Sequence, residues 1–373
     1  MSENESILEK VIATQIKEEK ELFNPKLIVE KLLADLPDRE KNVIYLRHGL
    51  DEKQEKYTLE DIGKKYNITR ERVRQIEVAT IKMLKKIFKE NRDLNQSLLV
   101  VEQLIKDSGG VIEYNELVKK LKESVNEKIE VNFILFFLEL IKDNFLQIKD
   151  SKNIKTGWQL PDFNFEILEN VITTTEDIVK KENRLFADDE LWLRFKKEVN
   201  ELPWVKNLNK DIFLSFIKLS KKLKMNPFND WGLRSWNLIT PRRMNDKIYL
   251  ILKHNGKPMH FRDIAQKINE TGFDGKKAHP ATIHNELILD HERYVLIGRG
   301  IYALKEWGYK PGVVADVIVE IIKNSDRPLN KTEIIKEVLK KRLVKESTIV
   351  LSLMNKKRFI KNPDGTYKLA SDQ

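Results

Sequence analysis

Arg70, Glu71, Arg74 and Gln75 lie within the first two turns of a predicted helix. These side-chain types read base edges in a DNA major groove. Arg pairs with guanine, Gln with adenine, and Glu accepts from cytosine N4. At about 100° per residue, these four and Lys82 share one side of the helix. Val73, Ile76, Thr80, Met83, Leu84, Ile87 and Phe88 share the other, which is expected to pack on the preceding helices. Thr69 is placed to cap this helix, and Thr58 to cap a shorter one beginning Leu59-Glu60-Asp61-Ile62. Between them, Asn67 in Tyr66-Asn67-Ile68 suits a left-handed turn. Two helices joined by a few residues make the helix-turn-helix plan, whose second helix contacts bases with its first residues. An ordinary exposed charged helix is the competing reading. The agreement of cap, turn, core face and reading face tells against it.

The elements upstream follow from punctuation in the sequence. Residues 5–33 read as helix, broken at Asn24-Pro25, with Leu27, Ile28, Leu32 and Leu33 resuming the pattern. Leu36-Pro37-Asp38 stops that run and starts a short helix, Asp38–Leu46, closed by Gly49. The charge is uneven. The chain carries +10 overall, residues 62–89 hold nine basic and two acidic residues, and residues 240–373 alone hold +10. Such excess suits phosphate backbones through counterion release. A solvated Lys-rich surface is the alternative for any single charge run.

Three separated motifs now stand in order: Leu36-Pro37-Asp38-Arg39-Glu40 with Leu46-Arg47-His48-Gly49-Leu50, then Tyr57-Thr58-Leu59-Glu60-Asp61-Ile62-Gly63, then Thr69-Arg70-Glu71-Arg72-Val73-Arg74-Gln75-Ile76-Glu77. Together they resemble region 4 of the sigma-70 family of bacterial transcription initiation factors over about residues 35–90, within a domain spanning 35–92. The resemblance implies base contacts in a −35 promoter element from Arg70, Glu71, Arg74 and Gln75. It implies phosphate contacts from Thr58 and Arg72, and docking on the β flap of RNA polymerase. Val78-Ala79-Thr80 departs from the pattern, because the family often has a basic residue there that contacts the backbone. Residues 1–34 form an N-terminal helical segment with one aromatic, Phe23. A promoter-melting domain is therefore expected to be missing, and promoter opening by the usual route is not expected.

The remainder repeats one pattern four times: two or three helical runs, then two short strands around a turn. The units span 95–160, 165–239, 244–306 and 312–370. In the first, helical runs Leu98–Lys106, Asn115–Lys122 and Val131–Lys142 precede strands at 145–148 and 158–160. The second has strands near 223–225 and 233–238. The third has them at 293–297 and 301–304. The fourth has them at 358–361 and 366–369, around Pro363-Asp364-Gly365. Helices followed by a hairpin is the winged-helix layout. In the third unit, Gly256-Lys257-Pro258-Met259-His260-Phe261-Arg262-Asp263-Ile264-Ala265, Ala278-His279-Pro280-Ala281-Thr282-Ile283-His284 and Gly298-Arg299-Gly300-Ile301-Tyr302 resemble the HARE-type helix-turn-helix, a winged-helix module. That resemblance implies nucleic-acid or polymerase interaction. In the last two units the third helices (His279–Leu289 and Glu346–Asn355), with Arg299, Lys356, Lys357 and Arg358, are expected to approach a duplex, having no obvious acidic neighbours.

Composition excludes much else. The chain has 373 residues, 41% hydrophobic and 34% charged, enough apolar material for packed cores. It has no Cys, which removes disulfides, thiolate zinc sites, iron–sulfur clusters and cysteine nucleophiles. The longest apolar run, Phe133–Leu138, is far short of a membrane span and reads most simply as core of the first wing unit, with a protein-docking groove as the alternative. Met1 to Ser6 are polar and acidic, unlike a signal peptide. Five of the six His lie in 254–291, but no two are spaced i,i+4 with a Glu between, so caps and packing explain them more cheaply than metal. No phosphate-loop, dinucleotide or nucleophile-elbow motif occurs. Asp188-Asp189-Glu190 reads as the acidic opening of a helix.

The sequence thus reads as a mainly α protein: a sigma region 4-like helix-turn-helix plus tandem winged-helix units with short β-hairpin wings. It is expected to bind double-stranded DNA sequence-specifically in transcription initiation, with RNA polymerase as partner. No enzyme activity, cofactor, metal or membrane is expected, and the setting is bacterial cytoplasm, associated with the nucleoid. Two alternatives stand: a polymerase-associated adaptor whose wings bind protein, and the DNA-recognition part of a restriction or modification system.

Overall fold

Asn24 Oδ1 accepts from the backbone N–H groups of Lys26 and Leu27 (3.0 and 3.3 Å), and Pro25 fills the first helical position. Both features start a helix, so α1 spans Pro25–Ala34. The computed structural model describes residues 23–51, 53–125, 129–199, 208–309, 313–341 and 344–370. The part of the expected N-terminal helix before residue 23 lies outside these residues. The chain divides into two compact units, the first ending at Lys224 and the second starting at Met225. Sixteen α-helices occur among the described residues.

In the first unit, α2 (Asp38–His48) ends at Gly49, whose φ of 63° is the left-handed conformation that glycine adopts freely. Next come α3 (Leu59–Tyr66) and α4 (Arg70–Glu90), the predicted helix-turn-helix. The first repeat follows: α5 (Arg92–Asp107), β1 (Val111–Glu113), α6 (Tyr114–Glu123), α7 (Val131–Ile141), β2 (Leu146–Ile148) and β3 (Gly157–Gln159). The second repeat, whose sequence runs past Lys224 into the second unit, is α8 (Phe165–Glu182), β4 (Phe186–Ala187), α9 (Asp188–Val199), α10 (Lys210–Lys218), β5 (Leu223–Met225) and β6 (Asp230–Leu233).

In the second unit the third repeat is α11 (Met244–Asn255), β7 (Met259–His260), α12 (Phe261–Thr271), α13 (Pro280–Leu289), β8 (Tyr294–Gly298) and β9 (Ile301–Leu304). The fourth is α14 (Val314–Lys323), β10 (Leu329–Asn330), α15 (Lys331–Lys341), α16 (Glu346–Leu353), β11 (Phe359–Lys361) and β12 (Thr366–Leu369).

Each repeat therefore runs helix, strand, helix, helix, strand, strand, the winged-helix order. The last strand lies centrally in small antiparallel sheets: β1-β3-β2, β7-β9-β8 and β10-β12-β11. The strand after the first helix was not read from sequence, because two or three residues cannot display a period of two. The expected strand at 233–238 is corrected. The strand lies at Asp230–Leu233, and the chain then folds back through Trp236 N–H to Leu233 O and Ile239 N–H to Trp236 O (2.9 and 3.0 Å). Gly232 permits this return, because a Cβ there would sit 2.7 Å from Ile239 Cγ1. The helix expected to run to Asn355 ends at Leu353.

The helix-turn-helix is not a separate bead on the first repeat. One buried cluster joins Leu32, Leu33, Ile44, Leu84 and Phe88 to Leu104, Leu117 and the apolar run of α7, including Phe133, Phe136 and Phe137. Phe137 packs edge-on to Phe88 and to Phe23. Phe136 lies 4.6 Å from the His48 ring, centroid to centroid. Asn132 Nδ2 donates to Gly49 O (3.0 Å) and Gln54 O (3.2 Å), satisfying two carbonyls of the loop after α2. Lys85–Asp143 (2.6 Å) and Lys26–Glu130 (3.2 Å) bridge the same junction at its rim.

Asn132→Ala leaves those carbonyls without this donor, at a cost of about 1–3 kcal/mol. Amide hydrogen exchange should then accelerate together in α2 and α7. Acceleration in only one of them would mean the two do not share a core.

Candidate nucleic-acid interface

The second helix of the helix-turn-helix, α4, starts where its sequence says. Thr69 Oγ1 accepts from Arg72 N–H (3.2 Å). Asn67 takes the left-handed conformation at φ 51°. Ile68 N–H bonds to Gly63 O (3.0 Å), and a Cβ on Gly63 would lie 2.7 Å from Ile68 O. Only glycine lets the turn close this tightly against α3. Thr58 and Asp61 form a reciprocal capping box: Thr58 N–H and Oγ1–H donate to Asp61 Oδ2 (3.3 and 2.6 Å), and Asp61 N–H donates to Thr58 Oγ1 (3.2 Å). These bonds hold the Asp61 carboxyl below its ordinary range. A small core of Val43, Ile62, Val73 and Ile76 fixes α4 against α2 and α3. Arg47 Nε donates to Glu77 Oε1 (3.3 Å), and His48 Nε2 stands 3.4 Å from the same oxygen. Together His48 and Arg47 hold the Glu77 carboxyl low.

Arg70, Glu71, Arg72, Arg74 and Gln75 are all exposed, as is Thr58. The structure brings Arg70, Glu71, Arg74 and Gln75 onto one face, with Arg72 at its margin, 3.3 Å from Gln75 Oε1 through Nη1. Arg74 clasps Glu71 with both prongs, Nε to Oε2 at 2.9 Å and Nη2 to Oε1 at 2.7 Å. Those bonds hold the Glu71 carboxyl below its ordinary range. An exposed pair of this kind is weak, so it orients Arg74 without locking the side chain to Glu71. Thr58 stands apart at the start of α3, its hydroxyl engaged by Asp61. On the packed face, Val73, Ile76, Thr80, Leu84 and Phe88 are buried as expected. Met83 is corrected to exposed, because it lies at the edge of the apolar arc beyond reach of either core.

The winged-helix repeats differ in what they leave open. In the first, α7, the third helix, is buried between α1, α4 and its own repeat. Its hairpin is held as well. Ile154 bridges to Ser220, Lys155 N–H donates to Leu219 O (2.9 Å), and Lys221 N–H donates to Asn153 O (2.8 Å). In the second, α10 packs on β1 and α8, burying Phe213, Phe216 and Ile217. Gly109, at φ 85°, makes room for it: a Cβ there would collide with Ile212 Cγ2. Sequence reading missed this use of the third helices. The signal was present in the Phe133–Leu138 run, which is apolar on all sides and so must be covered all round.

In the last repeat, Arg358 is corrected: it pairs with Asp316 at 2.6 Å and is not free of acidic neighbours. Three of the five histidines of the third repeat cap or pack. His260 Nδ1 accepts from Arg262 N–H (3.2 Å), His254 stacks on Phe228, and His284 lies against Phe261. No group of three or more His, Asp or Glu side chains suited to a metal ion occurs among the described residues. No helix among them is long and apolar enough to cross a membrane.

Two segments match known families. Residues 32–86 match the family model for sigma-70, region 4. Residues 242–307 match that for the HARE-type helix-turn-helix, a domain described as occurring in restriction endonucleases. Both resemblances read from the motifs are thereby met. RNA polymerase sigma factor SigA of Lactococcus lactis subsp. cremoris is 47% identical over 57 residues, 15% of this chain and 15% of that protein. Sigma factor RpoD of Helicobacter pylori is 52% identical over 60 residues, 16% of this chain and 9% of that protein. SigA of a Nostoc species is 49% identical over 57 residues, 15% and 14%. The chain therefore covers between 9% and 15% of the length of these relatives.

The geometry of the turn sets two expected outcomes. Gly63→Ala gains about 1 kcal/mol in helix propensity but meets backbone, an overpacking that costs about 1–3 kcal/mol. The net effect should be a lower urea midpoint and weaker DNA binding; an unchanged midpoint would show that the turn can open without loss. The depressed Asp61 carboxyl sets a pH dependence. Its contribution to stability is present above the unfolded carboxylate value of about 3.9. It is lost as pH falls through the lower folded value. Asp61→Asn should therefore flatten the acid limb of the stability–pH curve, measured by denaturant midpoints between neutral and acid pH.

Proposed function

We propose that this chain is a double-stranded DNA-binding protein of transcription initiation, and that α4 reads a −35-type promoter element sequence-specifically. The observation that carries the reading is the exposed Arg70/Glu71/Arg74/Gln75 face at the start of the second helix of a helix-turn-helix. Its cap, turn and core are all in place beneath it. Arg72 at the margin, and the α3 start at Thr58, contact the flanking phosphates. The sigma-70 region 4 match over these residues supports the same reading. RNA polymerase is the proposed partner, through its β flap, and the proposed setting is the cytoplasm and nucleoid. The chain acts by binding and not by catalysis, without cofactor or metal. The net charge of +10 supports association with a polyanion.

A polymerase-associated adaptor is the second reading. It is favoured by the near-neutral charge of residues 95–239, which suits surfaces directed at protein more than at a polyanion.

Selection of binding sites from a random duplex library tests the proposal. Arg74→Ala and Gln75→Ala should each lose roughly 5- to 150-fold in affinity on the selected site and much less on random duplex. Equal losses on both would reduce these side chains to backbone contacts. Failure to select any preferred sequence would refute sequence-specific reading.

A further inference from the structure

The third helix of the winged-helix repeat is used twice in this chain to pack on protein: α7 on α1 and α4, and α10 on β1. In the fourth repeat the same element, α16, is uncovered. Leu351 and Met354 stand three residues apart on one face, 70% and 67% exposed. Ile349 and Leu353, on the opposite face, are buried in the repeat's own core. The outward pair therefore contributes nothing to that core.

The ends of this face are cationic. Lys345 stands at the N-cap position, and Lys356 and Lys357 follow closely after Met354. All three are exposed. Between Glu346 and Met354 there is no Lys, Arg, Asn or Gln. Arg358 is committed to Asp316 at 2.6 Å.

We propose that this face docks an acidic amphipathic helix of a partner protein. Apolar side chains at helical spacing would cover Leu351 and Met354, and flanking carboxylates would meet Lys345, Lys356 and Lys357. Duplex DNA fits the face less well. The helix offers no fork of donors for base edges, and Leu351 and Met354 would desolvate polar groove atoms without giving them hydrogen bonds; Glu346 opposes either anionic partner alike and does not discriminate. The contrast with the Arg70/Arg74/Gln75 face of α4 is one of side-chain chemistry on the same structural element. The proposal is independent of the reading of α4.

The test uses the full-length chain and three labelled probes. The first is a peptide of about 20 residues with Leu at i, i+3, i+4 and i+7 spacing and Glu between. The second is the same peptide with every Leu replaced by Ser. The third is a duplex of about 20 base pairs. The Leu/Glu peptide should bind saturably, at least about tenfold tighter than the Ser/Glu peptide. Leu351→Asp combined with Met354→Asp should abolish that binding, and Lys356→Glu with Lys357→Glu should weaken it and flatten its salt dependence. Both sites are exposed, and unchanged hydrogen exchange at Ile349 and Leu353 verifies the fold. Arg74→Ala should leave peptide binding intact, which separates this proposal from the reading of α4. Equal binding of the two peptides, or full binding by the Leu351/Met354 double variant, would overturn it. So would a duplex affinity that falls with that variant while the peptide fails to bind, which would assign the face to DNA.

Discussion

One helix belongs to two cores. The first half of α4 closes over Val43 and Ile62 to complete the helix-turn-helix, and its second half supplies Leu84 and Phe88 to the cluster built on α7. Because protein interiors are close-packed, neither half can shift without disturbing side chains at the other end. The position of Arg70 and Arg74 is thus set by aromatic rings several turns away. Phe137, wedged between Phe23 and Phe88, is the centre of that arrangement. The ion pairs at the rim, Lys85–Asp143 and Lys26–Glu130, add register and little energy, as expected of partly exposed pairs.

The repeats show one strand and helix order under differing surface demands. In the first repeat both the third helix and the hairpin are enclosed, and in the second the third helix is. The first repeat also borrows a bridge at Ile154–Ser220 that joins its hairpin to its neighbour. In the fourth, the third helix keeps an apolar pair in solvent. A winged helix is therefore used here at least as often to hold protein as to meet anything else. The near-neutral composition of the middle of the chain agrees with surfaces directed at protein.

Much of the reading site was legible from residue types. Thr58, Asn67 and Thr69 each have one local job, cap or turn, and each does it in the structure. The arc of Val73, Ile76, Thr80, Leu84 and Phe88 followed from the helical period alone. Met83 failed because an arc has edges, and burial there depends on what stands opposite. The enclosing of α7 was signalled by a run without a polar face, but its neighbours come from residues far upstream, which no local pattern encodes. The strand that opens each sheet was invisible because two or three residues cannot display a period. The pairing of Arg358 with Asp316, 42 positions apart, is likewise a product of tertiary folding.

The enclosed first repeat also has a genetic meaning. A module with free faces can be copied, moved or deleted, and the remaining chain still folds. Here, removing residues 95–160 would strip the cover from Leu33, Ile44 and Phe88 and leave Ser220 and Leu219 without their bridging strand. Recombination at that boundary would uncover those apolar side chains instead of leaving a shorter packed core. The helix-turn-helix and the first repeat, sharing one core, can therefore be gained or lost only together.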